Sequence, residues 1–150
     1  MPAAGRLAVG YFPSGGRLKV LFFCRDERQV DDLVLALRVR WPDLRPLIAQ
    51  QAALGLRMLR QEEPELAMVR DDPPDMDKWS IIKKIRDISD VPMIVVIEDQ
   101  GEVRVVKALN LGADDYIRRP CSLTEVVARV LALMRRAGLT REQSDAIPIR

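Results

Sequence analysis

Residues 93–117 read MIVVIEDQGEVRVVKALNLGADDYI, and the order of patterns within them decides the fold. Met93 to Ile97 is a solid apolar run, mostly β-branched and too short for a helix, as expected of a strand buried on both faces. Asp99 and Glu102 have capping-box spacing and open a helix to about Leu111, with Gly112 at a helix-ending position. A short strand, Tyr116-Ile117, follows. Strand, helix and strand in about 25 residues describe a crossover between parallel strands.

The same alternation extends in both directions. Downstream, Ser122 and Glu125 repeat the capping-box spacing and open a last helix to Arg136, with Gly138 beyond it. Upstream, Lys19 to Cys24 reads as a buried strand, and Val30, Leu33, Val34 and Leu37 give a helix over Glu27 to Arg40 its apolar face. Leu44 to Ala49 is a weaker strand whose Pro46 cannot donate to a ladder, which places it at a sheet edge. A helix over Ala52 to Gln61 and a strand from Leu66 ending at Arg70 come next. After the loop Asp71-Asp72-Pro73-Pro74-Asp75, a helix carries Trp79, Ile81, Ile82, Ile85 and Ile88. Five strands alternating with five helices predict an α/β domain: a doubly wound, five-stranded parallel sheet covered on both faces. Ligands in such sheets gather outside the carboxyl ends of the strands.

The chain has 150 residues, 48% hydrophobic and 31% charged, with a formal net charge of +2. That suits one domain, with residues 1–17 a flexible lead-in and 138–150 a linker or tail. No apolar run approaches the roughly 18 residues of a membrane span, and the first residues lack a secretory pattern. Two cysteines, no Cys-x-x-Cys pair and no histidine support neither a disulfide scaffold nor a zinc site, and fit a reducing cytoplasm. The small net charge does not argue nucleic-acid binding by itself.

From Lys19 to about Arg136 the chain resembles a response-regulator receiver domain, and its last third resembles the OmpR/PhoB subfamily of transcriptional regulators. The matching stretches are Pro64-Glu65-Leu66, then Pro74 with Met76-Asp77, then Leu111-Gly112-Ala113-Asp114-Asp115-Tyr116-Ile117 with Pro120 and Ser122. The resemblance implies the flavodoxin/CheY-like strand order 2-1-3-4-5, in agreement with an edge position for the strand holding Pro46.

It also implies a phosphorylation centre that this chain does not carry. The family's acidic magnesium-binding pair aligns with Cys24 and Arg25, its phosphorylated aspartate with Arg70, its Thr or Ser with Ile97 and its Lys with Arg119. Magnesium requires hard oxygen ligands, which a thiol and guanidiniums do not supply, so no metal, cofactor or aspartyl phosphate is expected. Aligning Asp71 instead of Arg70 would turn the apolar run Leu66 to Val69 to the wrong face. With three aspartates and a lysine replaced by Cys24 and three arginines, the pocket is either neutralised internally by Asp26, Asp71, Asp72 or Glu98, the preferred reading, or holds an anion on Arg25, Arg70 and Arg119. Cys24 and Cys121 fall near the same sheet end, where arginines would favour a thiolate, although a small buried hydrophobe is the commoner fate of an isolated cysteine. Tyr116 takes the family's switch-aromatic position, but Ile97 offers no hydroxyl partner, and a fixed rotamer at the sheet edge is expected.

The remaining signal is a surface. The last helix carries Leu123, Val126, Val127, Val130, Leu131, Leu133 and Met134, more than one core-facing stripe requires, and the preceding helix adds Val103, Val105, Val106 and Leu109 beside Arg104 and Lys107. The resemblance implies a homodimer through these helices and the strand between them, with Asp114, Asp115, Glu125 and Arg129 at the family's pairing positions and Val126 and Leu133 in the apolar stripe. The expected function is a phosphorylation-independent, receiver-like regulatory domain of a two-component-type transcription regulator, acting as a constitutive dimer without catalytic residues. DNA contact would need a winged-helix domain outside this chain. The alternatives are a stand-alone protein interaction module and a small-anion sensor.

Overall fold

The computed structural model describes residues 17–98 and 102–138. Its strands are β1 (Lys19–Phe23), β2 (Arg45–Ala49), β3 (Leu66–Val69), β4 (Met93–Ile97) and β5 (Asp115–Arg118), and its helices are α1 (Asp31–Arg40), α2 (Ala52–Glu62), α3 (Lys78–Ile88), α4 (Glu102–Leu111) and α5 (Leu123–Arg136). All pairings are parallel and the order is β2-β1-β3-β4-β5, as expected. Pro46 lies opposite Val20 in edge strand β2, where its missing N–H costs no ladder bond.

The solid apolar strands are explained by the two layers that cover them. On one face Val20, Phe22, Met68, Ile94 and Val96 pack under α1 and α5. On the other, Leu21, Phe23, Val69, Val95 and Ile97 pack under α2, α3 and α4. Successive strand residues point to opposite faces, so the central strands feed both layers, and β3 and β4 carry apolar residues alone. Gly55 sits where α2 crosses β1, because a Cβ there would stand 2.2 Å from Cε2 of the buried Phe23 ring. Gly112 ends α4 at φ +124°, in the region that favours glycine.

One helix start differs from expectation. The segment over Glu27 to Arg40 is a 3-10 turn, Glu27–Val30, followed by α1. The cause is local: Asp26 accepts from the Arg28 N–H while Gln29 Oε1 accepts from the Asp26 N–H, and this reciprocal cap closes a tighter turn first. Helix α3 is capped by Asp77, which accepts from the Ser80 N–H at 2.9 Å. Ser122 caps α5 as expected, accepting from the Glu125 N–H at 3.0 Å. The expected cap at Asp99 and the segments 1–16 and 139–150 lie outside the described residues. No helix among the described residues is long and apolar enough to cross a membrane.

Candidate functional site

The carboxyl ends of β1, β3, β4 and β5 converge, and backbone bonds tie them together. The Arg70 N–H donates to Phe23 O at 2.8 Å, the Cys24 N–H to Ala49 O at 3.1 Å, and the Arg119 N–H to Ile97 O at 2.9 Å. This arrangement places Cys24, Arg70, Ile97 and Arg119 at one end of the sheet, as the strand assignment requires.

Arg70 is the buried charged residue of this end, at 8% exposure. Its Nε donates to Gln29 O at 3.0 Å and its Nη1 pairs with the Glu98 carboxylate just past β4. A buried guanidinium is tolerated because two acceptors meet its fork; unpaired, it would be strongly destabilising. Arg119 turns to α1 and pairs with Asp32 at 2.8 Å, while Arg25 is exposed and contributes its backbone N–H to Gln29 Oε1 at 2.9 Å. The pairs made by Arg70 and Arg119 follow the preferred reading of internal neutralisation over an anion held on Arg25, Arg70 and Arg119.

The acids are equally committed. Asp26 pairs with Arg28 at 2.9 Å, and Asp71 accepts from Gln29 Nε2 at 2.8 Å and from the Asp72 N–H at 2.8 Å. Asp72 in turn accepts the Lys78 N–H at 2.9 Å. Burial pushes the Asp71 carboxyl up, but the bonds from Gln29 and Asp72 and the charges of Lys78 and Arg70 more than offset this, and it ends below its ordinary value. Of the acids expected to neutralise the pocket, Glu98 does so directly. Asp32 was not anticipated, because nothing in its helix spacing points toward a strand end eighty-odd residues later.

Lys78 is the other residue that sequence reasoning missed. It starts α3, yet its Nζ folds back to donate to Val96 O in β4 at 2.8 Å. Burial lowers its pKa, and Asp72 and Asp71 partly restore it. Magnesium does not fit these donors: the thiol of Cys24 is fully buried, and the neighbouring side chains at the aligned positions are guanidiniums. Among the described residues, no three His, Cys, Asp or Glu side chains are arranged to hold a metal.

Cys24 takes the buried-hydrophobe reading rather than the thiolate one. Burial, reinforced by the charges of Asp26 and Glu27, pushes the Cys24 thiol up to about 11 despite Arg70 nearby. Burial raises the Cys121 thiol as well, and both cysteines are free. Desolvation outweighs the arginines, so neither thiolate is favoured. Ile97 is buried, and the half-buried Tyr116 ring lies 5.4 Å from the Arg129 guanidinium and 5.9 Å from that of Arg118.

The helix–strand–helix surface is rearranged relative to expectation. Val126 and Leu133 are buried at 1% and 4% exposure in the layer shared with α1, so they are core rather than interface, and Val105 is buried too. The outward apolar residues are on α4: Val103 at 78%, Val106 at 54% and Leu109 at 40%, joined by Leu123 of α5. Asp114 accepts from Arg86 at 3.0 Å and from the Met93 N–H at 2.8 Å. Asp115 and Glu125 both pair with Arg129 within the chain, at 3.3 and 3.1 Å. Arg104 and Lys107 lie over the Trp79 ring, at 5.9 and 4.7 Å.

No protein-family model matches the chain. It is 32% identical over 128 residues to the transcriptional regulatory protein BaeR of Escherichia coli O6:H1, covering 84% of this chain and 53% of that protein. It is 42% identical over 75 residues to the sensory transduction protein RegX3 of Mycobacterium tuberculosis, covering 49% of this chain and 33% of that protein. It is a response-regulator receiver domain of the OmpR/PhoB type. This receiver spans about half or less of the length of the curated relatives it matches. Among solved structures, a putative response regulator from Chloroflexus aurantiacus superposes with a TM-score of 0.73 at 20% identity, covering 80% of this chain and 99% of that one. The receiver domain of RstA from Klebsiella pneumoniae gives 0.68 at 19% identity, covering 78% and 98%. The receiver fold is thus shared with these structures.

Proposed function

We propose that this receiver acts without phosphorylation, as a constitutively paired regulatory domain of a transcription regulator. The observation that carries the reading is Arg70: the residue at the end of β3, where the family resemblance puts the phosphoryl acceptor, is a guanidinium held by Glu98 and Gln29 O. Phosphoryl transfer in the family's manner needs a carboxylate at the end of β3 and a metal ion to neutralise developing charge; here that position is Arg70, and the nearby carboxylates of Asp71 and Glu98 are bonded to Gln29, the Asp72 N–H and Arg70. Lys78 and Arg70 instead fasten the end of β4 to the loop after β3, so the pocket is filled from within.

Pairing is assigned to the α4 side, on the exposed row Val103, Val106 and Leu109, which is three-residue spaced along one helical face. A two-fold contact needs only one self-complementary patch. The charges expected at its rim are already satisfied within the chain, so the apolar row supplies the contact. No residue is given a catalytic role, and DNA binding is left to a further domain.

The test combines intact mass with sedimentation on the full chain, with and without acetyl phosphate and magnesium. The expected result is unchanged mass and a dimer under both conditions. A phosphoryl adduct on Asp71 or Asp72, or a monomer at several hundred micromolar, overturns the reading.

A further inference from the structure

Helices α2 and α3 lie side by side on the second face of the sheet, and a groove of about 270 Å³ opens between them. Leu56 and Ile88 give it an apolar floor, and its rim carries Arg57 and Arg60 from α2 and Lys84 from α3. Arg57 and Arg60 are three residues apart and so share one side of their helix. Lys84 faces them from the other wall.

The side chains of these three cations meet no carboxylate among the described residues, and they gather on one concavity. Arg28, Arg70, Arg86, Arg119 and Arg129 each meet a carboxylate within the chain. Arg57, Arg60 and Lys84 have no hydrogen bond or ion pair with any described residue. Asp87 shares the groove and pairs with none of them. Three cations facing one carboxylate leave an excess of positive charge around an apolar floor. A basic face that merely carries solvated charge requires neither the concavity nor Leu56 and Ile88 at its base.

We propose that this groove binds a small organic anion: a phosphate or carboxylate group held by Arg57, Arg60 and Lys84, with a flat apolar body lying on Leu56 and Ile88. Guanidinium forks match phosphate and carboxylate oxygens two at a time, and Lys84 adds a point charge from the opposite wall. The volume falls near the lower bound of small-molecule sites, on the scale of a mononucleotide or an aromatic acid. An inorganic anion would leave the floor uncovered, and a neutral aromatic would leave the cations unmatched. The site is separate from the strand-end pocket and stands whether or not the domain pairs.

The experiment is a titration of the isotope-labelled full chain, read by amide shifts. The two probes are adenosine monophosphate and 1-naphthoate, with inorganic phosphate and adenosine as references. Saturable shifts confined to α2 and α3 are expected from at least one probe, about tenfold tighter than from either reference. Saturation by the nucleotide alone assigns a phosphate ligand, and by naphthoate alone a carboxylate. Replacing both Arg57→Gln and Arg60→Gln, which are exposed and leave the fold's other shifts in place, is expected to weaken binding about tenfold or more, while Arg25→Gln changes nothing. The proposal is overturned by no saturable shift from either probe, by shifts centred on Arg25 or Arg119, by equal binding of inorganic phosphate, or by binding indifferent to the double substitution.

Discussion

Arg70, at the carboxyl end of β3, pairs with Glu98, one residue past the end of β4, and so joins two adjacent strand ends through side chains where the sheet's own ladder has stopped. The same guanidinium holds Gln29 O at 3.0 Å, which brings the turn before α1 into the link. Three segments far apart in sequence are fixed by one fork. That connection requires a long, planar, permanently charged side chain, and Arg is the residue that meets all three conditions.

Replacing Arg70→Asp is expected to lose this link and to place a carboxylate beside Glu98 and Asp71. Stability should fall by about 1–3 kcal/mol in urea unfolding, and no phosphoryl group should be gained from acetyl phosphate, because the magnesium ligands are still missing. Efficient labelling of this single variant would show that the lost metal ligands matter little.

Gly55→Ala tests the crossing of α2 over β1. In an open helix this change gains about 1 kcal/mol. Here the new methyl would sit 2.2 Å and 2.7 Å from Cε2 and Cζ of a Phe23 ring that is fully buried and has nowhere to turn. Overpacking of this kind costs about 1–3 kcal/mol, so a net loss is expected. A variant more stable than the parent in urea would mean that the ring or helix shifts freely.

Asp75, in the loop after β3, caps a helix to which it does not belong. Its two oxygens accept from the Ala52 and Ala53 N–H groups at 2.7 and 3.1 Å, because Gln51 gives α2 no side-chain cap. The Ala52 bond is the main cause that holds the Asp75 carboxyl below its ordinary value. A lowered carboxylate contributes stability that is present above the ordinary aspartate pKa and lost as pH falls through the lowered one. Asp75→Ala should therefore cost about 1 kcal/mol near neutrality, and the deficit should shrink in acid. Parallel urea curves at pH 7 and pH 3 check it; a deficit independent of pH would remove the carboxylate from the account.

The strands and the edge place of β2 were legible because each rests on local pattern, solid apolar runs and Pro46, whereas the full strand order and the site's positions came from the family resemblance. Side-chain partners were not legible, because Asp32 with Arg119, Asp75 with α2 and Lys78 with Val96 join positions whose nearness exists only after folding. The wide apolar arc of α5 shows the limit of counting. It lies against both the sheet and α1, where Leu33, Ala36 and Leu37 share its cluster, so a second stripe is consumed inside the molecule. The outward row lies on the shorter α4, which carries fewer apolar residues than α5.

Cys24 and Cys121 separate two accounts of the strand-end chemistry. Burial raises both thiols, with Cys24 pushed to about 11 and fully enclosed. At neutral pH Cys121, which is half-buried, should react slowly with a thiol reagent and Cys24 only on unfolding. The neutral Cys24 thiol contributes stability that is complete below the ordinary thiol pKa and is lost as pH rises from there toward 11. Rapid labelling of Cys24 in the folded protein at neutral pH would reverse the assignment and revive a redox role.

Two substitutions to the same residue type separate surface from core on the pairing side. Val106 is 54% exposed on α4, whereas Val126 is 1% exposed on the inner side of α5. Val106→Glu places a carboxylate in water in the free domain, so the fold should be kept with a change within about 0.5 kcal/mol. In a dimer the same carboxylate would be desolvated without a partner, which shifts the population to monomers. Val126→Glu sets the charge among Val130, Met134 and Phe22, with no donor provided, and is expected to cost more than about 4 kcal/mol and unfold the domain. Circular dichroism reports the fold and sedimentation at several concentrations reports the assembly. A folded monomer from Val106→Glu together with an unfolded Val126→Glu places the contact on α4. A folded Val126→Glu that has lost only its pairing would return the interface to α5 and refute the outward face assigned here.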